Sequence, residues 1–244
     1  MNSKQIFMII KKIAKRILPT KVYNTLKKFN QKRAIYYTKS YSQEGEDMII
    51  KRIFEGKKNG FYIDVGAYHP KRFSNTYYFY LQGWKGINID AARESVKIFN
   101  QQRPRDINLE TAVSDKKQVL KYYAFNEPAL NSFSKDISRE RNGLRNYKLI
   151  SQDKIQTNTL EEILNKHLSP NTKIDFLSID VEGFDYKVLL SNNWQKYRPQ
   201  IVLVEDLEKS LKETINSKIT IFMQKHGYEL HAKTHNTIFF KRID

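Results

Sequence analysis

The sequence predicts an α/β fold in which helices flank a mostly parallel sheet. Beyond residue 40, short apolar runs of strand-like composition alternate with stretches of helical periodicity. The length of 244 residues suits one domain with a full-sized core, and the absence of cysteine excludes a disulfide scaffold and a Cys zinc site. Hydrophobic residues make up 40% and aromatic residues 13%, which excludes disorder as the main state.

The predicted elements follow one another in a regular order. Strands are expected at 61–67, 85–90, 107–113, 173–180 and 201–205, with an extra strand at 119–125. Helices are expected at 48–54, 75–82, 93–101, 160–167 and 185–190. The chain then closes with a helix at 211–226 and a hairpin of strands at 228–233 and 237–241. Five strand-helix units and this hairpin predict a doubly wound, seven-stranded sheet that ends in an antiparallel hairpin.

Residues 1–40 are predicted to form a basic amphipathic helical arm, separate from a domain at 41–244. The whole chain has a formal net charge of +17, and eleven of its basic residues lie in the arm, before the first acidic residue, Glu44. Over residues 4–17, isoleucines share one helical face and lysines the other, until Pro19 ends the helix. Two interpretations are open: the helix lies on an anionic membrane surface, or it packs its isoleucines on the body.

The expected location follows from the apolar segments of the chain. The longest uninterrupted apolar run is far shorter than the roughly 20 residues that cross a bilayer. Lys11 and Lys12 interrupt the apolar stretch that a secretory signal would need. We therefore expect a cytoplasmic protein, with peripheral attachment to the inner face of the membrane if the arm binds lipid.

Carboxylates end four of the predicted strands. Because parallel strands end at one edge of a sheet, ligands of such folds bind there. Gly66, near the end of the first strand, would let a ligand approach the backbone, yet no glycine-rich phosphate motif follows it. S-adenosylmethionine therefore fits best, because it has ribose hydroxyls, a sulfonium that carboxylates stabilise and no phosphate. The four carboxylates are Asp64, Asp90, Asp180 and Glu205.

Five sequence blocks carry a resemblance to a known family. They are YSQEGED at 41–47, YIDVGAYHP at 62–70 with SNT at 74–76, GWKGINID at 83–90, DFLSIDVEG at 175–183 and RP at 198–199. In this order the blocks resemble the FkbM family of methyltransferases over nearly all of residues 41–244. The resemblance implies a Rossmann-like class I methyltransferase fold, S-adenosylmethionine as the donor and O-methylation of hydroxyls on bacterial glycans or natural products. Asp90 is a departure, since many members have Glu there.

The resemblance also implies a set of donor-binding residues. Asp90 would bind the ribose hydroxyls, and its alternative role is to cap the helix that follows. The segment 42–47 could equally be a turn that caps the next helix. The expected contacts are Asp64, Gly66 and Ala67 with the methionine and ribose part, Ser114 and Asp115 with the adenine, and Gln43 and Asn75 with the methionine end.

Methyl transfer to a sugar hydroxyl needs a general base or a divalent metal that lowers the cost of removing its proton. Asp180, Glu205 and Asp206 lie at adjacent strand ends and could hold Mg²⁺ or another divalent cation, or cap the helices that follow. The candidate catalytic residues are His69, Glu182 and Asp180. The alternative for His69 is a structural turn role before Pro70.

Residues 126–156 are the least regular stretch, and are expected to be a lid, a binding loop or a disordered insert. Between 132 and 150 its charges sum to +3, with Phe133 and Tyr147 nearby. Such a segment could close over an anionic or sugar acceptor, or be a solvated helix. The basic residues are Lys135, Arg139, Arg141, Arg145 and Lys148.

Two other classes of function compete with a glycan methyltransferase. A nucleic-acid methyltransferase would explain the positive charge, but residues 41–244 carry only +6 and show no RNA-binding module. A membrane-surface protein without catalysis would explain the arm, but leaves the strand-end carboxylates without a role. A small hydroxyl acceptor is therefore expected and nucleic acid is not, while the acceptor's identity and the oligomeric state stay open.

Overall fold

The computed structural model describes residues 16–34, 38–207 and 210–243. The chain divides into two units, Met1–Lys39 and Ser40–Asp244. In the first unit, helix α1 spans Thr20–Ala34. The amphipathic segment expected at 4–17 lies outside the described residues, apart from its last two. Among the helices that the structure describes, none combines the length and the apolar character that a membrane span requires.

The second unit is built on a sheet of seven strands. Its strands are β1 (Phe61–Val65), β2 (Lys85–Asp90), β3 (Ile107–Glu110), β7 (Phe176–Ile179), β8 (Ile201–Glu205), β9 (Tyr228–Lys233) and β10 (Thr237–Arg242). The strand order is β3-β2-β1-β7-β8-β10-β9; the pairs from β3 to β8 are parallel, and β10 pairs antiparallel with both β8 and β9. This confirms the predicted Rossmann-like α/β fold with a C-terminal antiparallel hairpin.

A smaller sheet of three strands stands beside the main one. Its strands are β4 (Ala112–Val113), β5 (Val119–Phe125) and β6 (Leu149–Asn158), in the order β4-β6-β5. Strands β5 and β6 form a long antiparallel pair from Val119 opposite Gln156 to Phe125 opposite Leu149. The segment 126–148 connects them and, with β6, forms the region predicted as an insert.

The helices that the structure describes in the second unit are short. They are α2 (Glu46–Ile53), α3 (Tyr77–Leu81), α4 (Ser95–Gln102), α5 (Lys135–Arg141), α6 (Leu160–His167), α7 (Asp185–Leu190), α8 (Leu211–Ile215) and α9 (Lys218–Lys225). Several of these helices begin after a polar residue whose side chain caps the helix, because the first backbone N–H groups of a helix lack partners within it. Thr159 and Glu162 form a reciprocal capping box on α6, for example.

Burial of the central strands accounts for the apolar sequence pattern that predicts them. Every residue of β7 is buried, and four of the five residues of β8 are buried. Strands covered by helices on both faces read as continuous apolar runs, which is the pattern of a parallel sheet. The order of the strands then brings the carboxyl ends of β1, β2, β7 and β8 to one edge.

A buried polar network lies beneath that edge. Arg103 and Asp106 have fully buried side chains and form an ion pair of 2.8 Å. Arg103 also donates to Tyr62 Oη at 2.8 Å and to Thr76 Oγ1 at 2.9 Å. Thr76 Oγ1 in turn donates to Asp64 at 2.8 Å. The network therefore joins α4 to β1 through paired charges rather than through apolar packing.

Three predicted elements were wrong in detail. The strand expected at 107–113 breaks at Thr111, whose N–H donates to the Asp90 carbonyl at 2.8 Å, and β4 then joins the smaller sheet. The segment 126–156 is regular over much of its length, with a 3₁₀ turn at Pro128–Leu130, α5 and β6. The single helix expected at 211–226 is two helices, since Ser217 caps the start of α9.

Candidate active site

A cleft of about 740 Å³ opens at the carboxyl ends of β1, β2 and β7. Its floor includes Gly66, Asp90 and Asp180, each at or just after a strand end. Its roof comes from β5, β6 and the segment between them. The cleft thus lies where a doubly wound sheet places its ligand, but the insert covers it.

Gly66, just after β1, lies where the end of β1 packs against the end of β7. Its φ of +82° is a left-handed conformation, and a Cβ at this position would overlap the backbone carbonyl of Asp180. Its N–H donates to the Ile89 carbonyl at 2.9 Å, which ties it to β2 as well. Only glycine meets both requirements, and the strand ends can therefore approach each other closely.

Asp90 ends β2 and lines the cleft. Its Oδ1 accepts from the N–H of Ala92 and its Oδ2 from the N–H of Tyr68, both at 2.7 Å. It is not the N-cap of α4, because Glu94 occupies that position. Burial raises the pKa of the Asp90 carboxyl, and the two backbone N–H groups oppose that rise. Each oxygen keeps a lone pair with which it can bind a hydroxyl.

Asp64, Ala67 and Asn75 lie beneath the cleft and do not line it. Asp64 is buried and accepts from Thr76, while Ala67 donates its N–H to the Ile89 carbonyl at 3.1 Å. Asn75 donates to Ser178 Oγ at 3.1 Å. Gln43 does line the cleft, from the turn before α2. Of the candidates for the methionine end, Gln43 and Gly66 can therefore touch a ligand directly.

The predicted adenine contacts lie just outside the lining. Ser114 is buried and donates to Asp115 at 2.9 Å, and neither residue lines the cleft. The lining at this end is instead Thr111, Ala112 and Val113. The break in the predicted third strand turns these three residues into the cleft. Because the sequence predicts one continuous strand over 107–113, it does not indicate that these residues turn into the cleft.

Three carboxylates meet near the ends of β7 and β8. Asp180, Glu182 and Glu205 each offer an oxygen within 4.8 Å of the other two. The predicted metal set of Asp180, Glu205 and Asp206 therefore needs correction, because Glu182 takes the third place. Asp206 is buried next to Glu205 and donates its N–H to the Asn236 carbonyl at 2.7 Å.

The cluster has the oxygen donors that a hard cation prefers, but one of them is already engaged. Arg141 forms an ion pair with Glu182, and both side chains are more than four-fifths buried. Burial, followed by the charge of Asp180, raises the pKa of Glu205 well above the usual range, and the same guanidinium opposes the rise. A divalent cation would compete with this internal cation, so metal binding stays a prediction.

Burial and mutual repulsion raise the pKa values of the carboxyl groups near this cluster. Water reaches Asp180 in the cleft, yet desolvation by surrounding protein atoms, followed by the charge of Glu182, raises its pKa well above the usual range. Burial also raises the pKa of Glu182, with Arg141 opposing it. Asp185 accepts from the N–H groups of Val181 and Gly183, and burial raises its pKa to about 7.

His69 lines the cleft on the loop after β1. Its Nδ1 accepts from the N–H groups of Lys71 at 3.1 Å and Arg72 at 3.0 Å. Partial burial, followed by the charges of Arg72 and Lys71, lowers its pKa, so the ring is neutral at pH 7. A neutral ring with an accepting Nδ1 carries its proton on Nε2. In this geometry His69 offers the cleft a hydrogen-bond donor and not a base.

The insert crosses the cleft and is held on both sides. Arg72 pairs with Glu127 at 3.1 Å, and Tyr68 Oη donates to Glu127 at 3.0 Å. On the other side, Arg93 approaches Asp153 of β6 at 3.4 Å. Phe133 and Tyr147 line the cleft, but none of the five basic residues of the insert does. Arg141 is partly buried and the other four are exposed.

A comparison with protein-family models identifies the chain. Residues 64–230, more than half of its length, match the FkbM methyltransferase domain. The chain belongs to the FkbM methyltransferase family. A search of curated proteins gave no match for this FkbM member.

Solved structures show distant similarity to the FkbM protein. A TehB-like SAM-dependent methyltransferase from Corynebacterium glutamicum is 10% identical, with a TM-score of 0.39 over 93% of this chain and 100% of that chain. An O-methyltransferase from Bacillus cereus, solved in complex with SAH, is 9% identical, with a TM-score of 0.36 over 96% of this chain and 97% of that chain.

The cleft of this FkbM domain is acidic although the chain is strongly basic. Among its lining residues, six are acidic and three are basic. This excess of acidic side chains favours a cation over a phosphate group as a ligand. The acidic residues are Asp90, Glu94, Glu127, Asp153, Asp180 and Glu182, and the basic ones are Arg72, Arg93 and Lys97.

Proposed function

We propose that this FkbM methyltransferase transfers the methyl group of S-adenosylmethionine to a hydroxyl of a sugar or other small molecule. One observation carries the proposal. The same cleft contains a glycine and an acidic residue at the ends of β1 and β2, suited to a nucleoside, and two carboxyls of the cluster, Asp180 and Glu182, just after β7. A donor site and a proton acceptor would thus adjoin each other in one cavity.

The donor would lie along the floor of the cleft. Asp90 would bind the ribose hydroxyls, and Thr111 to Val113 would border the adenine. Gln43 and Gly66 would border the methionine end. The excess of acidic side chains favours a positively charged sulfonium, and this attraction is lost when the neutral product forms.

Asp180 is the proposed general base. In its ionised form it accepts the proton of the acceptor hydroxyl while the oxygen attacks the methyl carbon in line with the breaking C–S bond. The positive charge of the sulfonium disappears, and S-adenosylhomocysteine leaves as a neutral thioether. A carboxylate with a raised pKa is a stronger base than an ordinary one, and burial, followed by the charge of Glu182, raises the pKa of Asp180.

The aromatic residues at this end of the cleft support a sugar acceptor. Phe133 lines the cleft, with its ring 4.9 Å from that of Tyr122 and 5.6 Å from that of Phe184. Pyranose rings present C–H faces that pack on aromatic surfaces, and their hydroxyls bind carboxylates. The acidic lining favours a neutral sugar over an anionic one, so we place a bacterial glycan or natural-product hydroxyl here.

The experiment that tests the function has two steps. Isothermal titration calorimetry with S-adenosylhomocysteine should show one site per chain, and labelled S-adenosylmethionine should transfer methyl to glycans extracted from cells that lack the protein. Asp180→Asn should bind S-adenosylhomocysteine normally but lose most of the transfer, about 100-fold or more. No binding by the wild-type protein would refute the methyltransferase proposal. Full activity in EDTA would remove the predicted Mg²⁺.

We also propose that the basic arm attaches the enzyme to an anionic membrane surface, where lipid-linked glycans would be accessible. Eleven basic residues and no acidic residue precede Glu44, and Ile17, Val22 and Leu26 have exposed side chains. Each basic residue near such a surface contributes about 1 kcal/mol, which gives reversible binding. The full chain should co-sediment with phosphatidylserine vesicles at low salt, and equal sedimentation with neutral phosphatidylcholine vesicles would contradict this attachment.

A further inference from the structure

We propose that the insert positions the catalytic carboxylates, with Ser132, Ile137 and Arg141 holding the loop 180–183 in its working conformation. The inference rests on the proposed function, because it concerns how Asp180 and Glu182 are presented to the acceptor. It gives the insert a second role besides covering the cleft. None of the three residues needs to touch a substrate, so they are positioning residues.

The loop 180–183 has a backbone conformation that needs support. Glu182 has a φ of +53° and Gly183 a φ of +94°, so two consecutive residues are left-handed. Glycine adopts this conformation freely, but for glutamate it is unfavourable. The conformation at Glu182 is what brings its carboxylate to Asp180 and Glu205, within 4.8 Å of both. Contacts elsewhere must therefore offset the strain of this residue.

The insert supplies three such contacts. Ser132, which is buried, donates its hydroxyl to the Glu182 carbonyl at 2.6 Å. Arg141, at the end of α5, holds the Glu182 carboxylate in a largely buried ion pair. Ile137, also on α5, packs so closely on Gly183 that a Cβ there would overlap its side chain. The backbone and the side chain of Glu182 are thus both held from the same segment.

The helix that follows the loop, α7, also holds the backbone of residues 180–183. Both carboxylate oxygens of Asp185, the first residue of α7, accept backbone N–H groups of the loop, from Val181 at 3.1 Å and Gly183 at 3.0 Å. The Asp180 N–H donates to the Val65 carbonyl at 3.0 Å, which anchors the start of the loop to β1. The only support for Glu182 itself among the hydrogen bonds and ion pairs of the described residues comes from the insert.

Positioning of this kind affects the reaction more than the binding of the donor. A displacement of about 1 Å at a reacting group can cost about 100-fold in rate. The proposed donor contacts at Gly66, Asp90 and Gln43 lie on other loops, and Ser132, Ile137 and Arg141 act on Glu182 and Gly183. Loss of Arg141 should therefore lower methyl transfer and leave the affinity for S-adenosylhomocysteine intact.

Arg141→Gln tests this with Arg139→Gln as its matched control, because Arg139 is exposed on the same helix. We expect Arg141→Gln to lower methyl transfer into extracted glycans at least tenfold, with the dissociation constant for S-adenosylhomocysteine unchanged within about twofold. Arg139→Gln should match the wild-type protein in both measurements. Arg141→Lys should recover part of the activity, since it restores the charge but not the planar fork.

A second variant keeps the test independent of the ion pair. Ser132→Ala removes only one hydroxyl, and Ser138→Ala is its control, since the Ser138 hydroxyl bonds within α5. Hydrogen exchange at the amides of residues 182–184 should become faster in Ser132→Ala and stay the same in Ser138→Ala. If Arg141→Gln and Ser132→Ala transfer methyl as well as their controls, the inference is overturned. If the wild-type protein itself binds no S-adenosylhomocysteine, the methyltransferase proposal fails first.

Discussion

Gly66 and Asp180 lie in close backbone contact, at the carboxyl ends of two neighbouring strands of the sheet. Under the proposed function, Gly66 borders the donor and Asp180 is the base. Main-chain packing between β1 and β7 would then limit how far the donor site lies from the residue that carries the base.

Gly66→Ala should weaken donor binding at least tenfold. Its Cβ would overlap the Asp180 carbonyl and force the two strand ends apart. Gly83→Ala is the matched control, because Gly83 also has a positive φ, +96°, but open space around its Cβ position. Both variants lose about 1–2 kcal/mol of stability from the left-handed backbone, but only Gly66→Ala should lose affinity for S-adenosylhomocysteine in calorimetry. Equal affinities in the two variants would contradict the close-contact argument.

Asp90→Asn should reduce the affinity for S-adenosylhomocysteine by about tenfold. A charge-assisted hydrogen bond contributes roughly 1.5–3 kcal/mol, and the amide replaces one accepting oxygen by a donor. Asp115→Asn tests whether the adenine contact predicted from the sequence exists. Asp115 was expected at the adenine, but it does not line the cleft. We expect unchanged affinity for Asp115→Asn, and a loss equal to that of Asp90→Asn would restore the earlier assignment.

Acidification should destabilise the loop after β1 through His69. Its pKa in the folded protein lies below the ordinary value of about 6.5, so the unfolded chain takes up the proton first as the pH falls. Stability from His69 is therefore complete above pH 6.5, and falls below it until the folded pKa is reached. His69→Asn keeps an acceptor for the N–H groups of Lys71 and Arg72 without titrating.

The measurement is the melting temperature of both proteins at pH 7.5 and 5.5. The wild-type protein should lose more than His69→Asn between these two values, and His235→Asn, in the β9-β10 turn, controls for removal of an imidazole. Identical losses in wild-type protein and His69→Asn would exclude this role for the Nδ1 atom.

Breaking the pairs that hold the insert over the cleft should speed product release. Glu127→Gln removes the carboxylate that Arg72 and Tyr68 share, and Asp153→Asn removes the partner of Arg93. Each should increase the dissociation rate of labelled S-adenosylhomocysteine several-fold, and high salt should do the same to the wild-type protein. Arg52→Gln breaks an exposed pair with Glu55 away from the cleft and should leave the rate unchanged. A rate that is the same in all four proteins would show that these pairs do not limit release.

Removal of the buried Arg103 should be severely destabilising. Asp106 would remain as an unpaired, fully buried carboxylate, and Tyr62 and Thr76 would lose a donor. Breaking a buried pair in this way costs about 3–5 kcal/mol. Urea unfolding of Arg103→Met should show this loss, whereas Arg52→Gln should differ from the wild-type protein by less than about 1 kcal/mol. A small loss in Arg103→Met would mean that the network contributes little to stability.

The parts of the fold that could be predicted are those where local pattern and burial agree. Strands β7 and β8 are mostly apolar and almost fully buried, so their composition alone indicates strand. Strand β6 was missed because its only apolar residues are Leu149, Ile150 and Ile155, which do not alternate with polar ones, and because it is largely exposed, which resembles a loop. The carboxyl edge of the sheet, and therefore Gly66, Asp90 and Asp180, followed from the strand ends.

The details of the site depend on backbone geometry that no local pattern contains. Successive residues of a strand point to opposite faces, so Glu205 joins the cluster while Asp206 does not. Glu182 replaces Asp206 because its left-handed backbone turns it back to Asp180. The contribution of Ser132 and Arg141 comes from about 40 to 50 residues earlier in the chain, and only the tertiary fold brings them to the loop.

If the cleft binds donor and acceptor as proposed, one stretch of polypeptide, β5, β6 and their connection, would border both ligands. Ile155 and Asp153 would border the donor and Phe133 the acceptor, since all three line the cleft. Substitutions of cleft-lining residues that adapt this stretch to a new acceptor would then also change how tightly the donor is retained. During evolution, acceptor range and donor affinity would diverge together among enzymes that share this architecture.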